Sequence, residues 1–104
     1  IFSPYMTVGF ESTDEGSREL QAAMHPSDKT LRPQIVTKKM NPEYHGLINA
    51  FYKLTGVGGL LNTSFNLHGF PIVNSAKDAY NVFIKSGIDV LAFDKFLISK
   101  TMIK

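Results

Sequence analysis

Asn41-Pro42-Glu43 opens the stretch that most restricts how this chain can fold. An asparagine can accept the first free amide of a helix, a proline is already set for the first helical position, and an acid suits the positive end of the helix. Tyr44, Leu47, Ile48, Phe51 and Leu54 then recur at helical spacing, and Gly56 supplies a left-handed residue to stop the run. The pattern predicts a helix over 42–55 with one apolar face. Such a face must pack against another layer.

The rest of the chain offers that layer in short pieces. Tyr5 to Phe10 is a β-rich run, and the polar stretch 11–19 is a loop or a helix start. Thr30 to Val36 reads as an edge strand, or one broken at Pro33, whose nitrogen has no proton to donate. Leu60 and Leu61 read as a short buried strand. Ser75 with Asp78 suggests a capping box for a second helix that carries Ala79, Val82 and Phe83 inward and ends at Gly87. Asp89 to Phe93 and Phe96 to Ser99 read as two closing strands around Asp94-Lys95. The expected class is α/β, α+β-like, with helices packed on a mixed β-sheet and the first helix as a crossover between Val36 and Leu60. With 104 residues the chain suffices for one core, so we expect a single domain over 1–104. Its start at Ile1 suggests a piece excised from a longer protein.

Composition excludes more than it assigns. The net charge of +2 comes from acids and bases mixed along the chain, a weak argument for a polyanionic partner. There is no cysteine, hence no disulfide framework and no thiolate chemistry, which fits a cytoplasmic location. No run approaches the roughly 18–20 apolar residues of a membrane span, and residues 1–10 lack the pattern of a signal peptide. The histidines at 25, 45 and 68 show no ligand spacing, so no protein metal site is expected.

The candidate site is LLNTSFNLHG, residues 60–69. Two leucines run straight into Asn62, Thr63, Ser64 and Asn66. In layered α/β folds ligands collect beyond the carboxyl ends of strands, and this packet follows one of the predicted strands. Its hydroxyls, amides and turn N–H groups could supply several donors to an anionic oxygen cluster such as phosphate. The same residue types also make tight turns that satisfy only their own backbone, and composition leaves both readings open.

Longer motifs narrow the choice. LNTSFN and the residues through Asn74, the helix before them, and SAKDAYNVFIKSGIDVLAFDKFLISK after them resemble the C-terminal domain of the nodulation and antibiotic-type O-carbamoyltransferases. Ser3-Pro4-Tyr5-Met6 and His25 with Thr30, Arg32 and Gln34 fall where that domain has its corresponding motifs, so the resemblance covers nearly the whole chain. Phe70 stands where the family usually has Glu, which puts contacts at the rim in doubt.

The resemblance implies a two-domain enzyme. Its C-terminal domain is similar to the YrdC fold and makes carbamoyl adenylate from carbamoyl phosphate and ATP, with Mg²⁺ arriving on the ATP. An N-terminal actin-like domain then passes the carbamoyl group to a substrate hydroxyl. Arg32 matches the family arginine that holds a phosphate oxygen, a task suited to a planar, permanently charged fork. Ser64 matches the serine that hydrogen-bonds the same ligand, with Asn62, Thr63 and Asn66 forming the loop around it. Ser64 is not read as a nucleophile, because no base with an acid partner is evident beside it. His25 either hydrogen-bonds ligand or holds local structure. Other phosphate-holding arginines of the family lie upstream, so the isolated chain is expected to fold, to be nearly inactive, and to self-associate, for instance as a homodimer, through apolar surface. The competing reading is a non-catalytic module binding an anion, a nucleotide or RNA. Lys29, Arg32, Lys38 and Lys39 lie close together in sequence, but no aromatic is interleaved among them.

Overall fold

The computed structural model describes residues 2–103. The chain divides into two compact units, Ile1–Asn62 and Thr63–Lys104. Helices and small antiparallel sheets make up the α+β mix that the sequence implies.

In the first unit, β1 (Phe10–Glu11) pairs antiparallel with β2 (Thr30–Leu31), with Phe10 opposite Leu31. Between them lie α1 (Asp14–Glu19), whose N-cap Thr13 accepts from the Gly16 amide at 3.1 Å, and a 3₁₀ turn at Gln21–Ala23. The strand β2 ends before Pro33, where the missing proton breaks the ladder. α2 (Pro42–Thr55) has the predicted caps: Asn41 Oδ1 accepts from the Tyr44 amide at 3.0 Å, and Gly56 takes φ 78°. A β-carbon would disfavour that conformation.

Among the described residues of this unit, Ser3 alone is buried. Its hydroxyl proton is shared between the carbonyls of Pro33 at 2.9 Å and Tyr5 at 3.1 Å, while its own carbonyl accepts from the Ile35 amide at 2.7 Å. One serine thus ties the start of the chain to the segment that follows β2.

The second unit has a small apolar core. α3 (Ala76–Lys85) is capped by Ser75, whose Oγ accepts from the Asp78 amide at 3.1 Å and donates to the Asp78 carboxylate at 2.7 Å. The helix ends at Ser86, whose amide reaches the Val82 carbonyl, rather than at Gly87 as predicted. β3 (Val90–Phe93) and β4 (Phe96–Ser99) form an antiparallel hairpin across Asp94-Lys95, with Asp94 at φ 42°, a region that Asp tolerates better than most residues. Phe83 is fully buried with Ala79 and Leu91, and Phe65, Val73, Phe93, Ile98 and Ile103 pack around them. Lys100 extends over the Phe83 ring, 5.6 Å from its centre, and donates to the Ser86 carbonyl.

Three expectations need correction. Leu60 and Leu61 form no strand, and Leu61 is 61% exposed. The pair follows two glycines and finds no partner strand, and a two-residue apolar run cannot hold an extended ladder by itself. The crossover from Val36 to Leu60 therefore does not form, and both ladders are two-stranded and antiparallel instead of parts of one mixed sheet. Of the run from Tyr5 to Phe10 only Phe10 is in a strand, because residues 5–8 turn under the Ser3 clamp.

Candidate functional site

The hairpin-like turn from His25 to Thr30 is the best-tied loop of the first unit. The His25 amide donates to the Thr30 carbonyl at 2.9 Å, and the Lys29 amide donates back to the His25 carbonyl at 3.0 Å. Asp28 Oδ1 accepts from both the amide and the hydroxyl of Thr30, at 3.0 and 2.8 Å. Closing so tight a turn sets Lys29 at φ 57°, a conformation costly for a side chain with a β-carbon. His25 Nδ1 lies 3.0 Å from Ser27 Oγ and 3.3 Å from Asp28 Oδ1. The Thr30 amide, then the Thr30 hydroxyl, then the nearby imidazole hold the Asp28 carboxyl below its ordinary range. The turn is built around an ionised aspartate.

This turn forms one wall of an open cavity of about 750 Å³ that lies wholly within the first unit. His25, Thr30, Arg32 and Gln34, singled out by the family resemblance, all line it, and Asn62 joins them from the end of the unit. Asn62 Nδ2 approaches Met6 Sδ at 3.5 Å, which ties the last residue of the unit to the start of the chain. Leu20, Met24, Tyr44, Ile48 and Leu60 supply an apolar side. Among the described residues Arg32 pairs with no carboxylate, so its charge is available to an anion in the cavity. A cavity of this size, mostly apolar with a few convergent polar groups, is the usual form of a small-molecule site.

The remaining candidates belong to the second unit. Thr63 and Ser64 are exposed at its start. Asn66 uses its amide nitrogen to close its own loop, donating to the carbonyls of Leu67 at 3.0 Å and Phe70 at 2.9 Å, while Gly69 turns at φ 80°. That is the self-satisfying turn weighed above. His68 is exposed in the same loop, and His45 is half-buried on α2.

Two functional features escaped the sequence reading. Asp28 was passed over, although an Asp two residues before a Thr is a recognisable signal for a side-chain-closed turn. The clamp by Ser3 joins residues 30 positions apart, and no local pattern announces it. Among the described residues no three His, Cys, Asp or Glu side chains gather as a metal site, and no helix is long and apolar enough to cross a membrane.

A family model described as carbamoyltransferase C-terminus matches residues 1–100. An uncharacterised protein of Methanocaldococcus jannaschii is 43% identical over 99 residues, which is 95% of this chain and 19% of that protein. The nodulation protein NolNO of Sinorhizobium fredii is 44% identical over 83% of this chain and 13% of its own length. A 3'-hydroxymethylcephem-O-carbamoyltransferase of Amycolatopsis lactamdurans is 40% identical over 72% of this chain and 14% of its own length. The chain thus spans less than a fifth of each of these relatives. With the family model matched over residues 1–100, the chain belongs to the carbamoyltransferase C-terminus family.

Proposed function

We propose that this chain is part of a longer O-carbamoyltransferase and that its domain makes carbamoyl adenylate from carbamoyl phosphate and ATP, for transfer to a substrate hydroxyl by an actin-like domain elsewhere in the polypeptide. The observation that supports this reading is the convergence of His25, Thr30, Arg32, Gln34 and Asn62 on one cavity. Arg32 would grip a phosphate oxygen in the cavity, and Ser64 would keep the role that the resemblance implies, a hydrogen bond to the ligand. Atom balance fixes the order of events. Water releases inorganic phosphate from carbamoyl phosphate, a carbamate oxygen attacks the α-phosphorus of ATP, and the bond to the β-phosphate breaks to expel pyrophosphate. Negative charge builds on phosphoryl oxygens throughout, so donors fixed beforehand carry the catalysis. Arg32 brings a permanent charge. Asp28 keeps the turn closed through Thr30, and His25 presents its imidazole to the same space. The cavity does not form a cage for Mg²⁺: Asp28, its one carboxylate, is committed to Thr30, so in this reading the ion belongs to the triphosphate and no step is assigned to it.

The test is pyrophosphate release from ATP and carbamoyl phosphate by the full-length protein. We expect Arg32→Ala and Ser64→Ala each to lower turnover by about 10²–10³-fold, the usual loss when one such donor is removed. Turnover unchanged by both substitutions would contradict the assignment.

A further inference from the structure

We propose that Leu47, Phe51 and Leu54 on α2 form an intrachain docking surface, covered in the longer polypeptide by an apolar segment lying outside residues 1–104. The inference rests on the reading that the chain is part of a longer polypeptide and on nothing about its chemistry. α2 has good caps but only 14 residues, and an isolated helix of that length is marginal in water. Its stability must come from packing an apolar face. Tyr44 and Ile48 are half-buried beside the cavity, yet the adjoining stripe is bare: Leu47 is 57% exposed, Phe51 36% and Leu54 86%. No residue of α2 is buried.

The stripe also states the chemistry of what covers it. Three and four positions away along the helix stand Tyr44, Ile48, Ala50 and Thr55, with Glu43 as the one charge at the N-terminal end. An apolar partner fits such a surface, whereas nucleic acid or a charged helix does not. A second copy of this chain is a poor occupant, because three side chains of roughly 150–200 Å² each, partly covered already, offer on the order of 300 Å². A stable interface needs about 800 Å² from each partner. A tethered segment escapes the entropy of bringing two molecules together, so a small patch suffices. The relatives supply the length: more than four-fifths of each lies beyond the part that this chain covers.

The experiment uses the full-length polypeptide with p-benzoylphenylalanine in place of Leu54, irradiated and mapped by mass spectrometry. We expect crosslinks within one molecule to a segment outside residues 1–104. A crosslinked dimer, or crosslinks confined to residues 2–103, would overturn the proposal. Hydroxyl-radical footprinting of the unsubstituted protein guards against a disruptive substitution. Leu54 should be oxidised at least about fivefold more slowly in the folded than in the urea-unfolded protein, and equal rates would overturn the proposal even if crosslinks appeared. Neither readout involves turnover, so failure of the carbamoyl chemistry leaves the surface standing. A gene product no longer than this chain, visible in its mass, would remove both the longer polypeptide and the surface.

Discussion

Asp28 carries more of the candidate site than its exposed position suggests. Its carboxylate accepts two bonds from Thr30 and faces His25, so the ionised form is favoured and the pKa lies below the ordinary 3.8. A group whose folded pKa is depressed contributes stability above its ordinary value and loses it as pH falls through the folded value. We therefore expect the turn to hold at neutral pH and to loosen only below pH 3.8. The Thr30 amide proton should report this in an NMR titration by shifting with a midpoint below that value, and Asp28→Ala should remove the transition. A midpoint at or above the ordinary value would show that the bonds to Thr30 are not populated. At this scale Arg32 and His25 were legible through the family resemblance, because they fall on one of its motifs. Another of its motifs names Ser3 but says nothing of its burial, which depends on a contact with Pro33 far along the chain.

At the scale of elements, what could be read was what is local. The caps Asn41 and Ser75 bond to amides three residues away, so both helices were legible. The hairpin of β3 and β4 was legible for the same reason, since its strands meet across a two-residue turn. A strand at Leu60 and Leu61 needed a distant partner, and nothing in those residues could say that none would come. The two units also differ in how they are held. Among the described residues Phe83 is the one fully buried large side chain, and its truncation should cost about 3–5 kcal/mol. A core within only 42 residues rarely supplies more than that. We expect Phe83→Ala to unfold the second unit, seen as loss of helix and hairpin signals, while Asn41→Ala lowers helix stability by only about 1 kcal/mol in a denaturant titration. Comparable losses from the two would mean that the core is not where the second unit's stability lies.

For the whole molecule, the division between Asn62 and Thr63 falls inside the donor-rich packet at 62–66. Asn62 lines the cavity with Arg32, whereas Thr63, Ser64 and Asn66 open the second unit. The packet was legible as a place where apolar chain gives way to donors, but which donors share a ligand depends on tertiary placement that no spacing encodes. The central claim of the proposed function is that Arg32 and Asn62, which line one cavity, act on one anion. A double-mutant cycle in the full-length protein tests it most directly, with pyrophosphate release measured for Arg32→Ala, Asn62→Ala and the pair. Two groups on one ligand oxygen cluster should couple by about 1 kcal/mol or more, so the double variant loses distinctly less than the two single losses combined. Additivity within about 0.5 kcal/mol would contradict the account and place the two residues in separate roles.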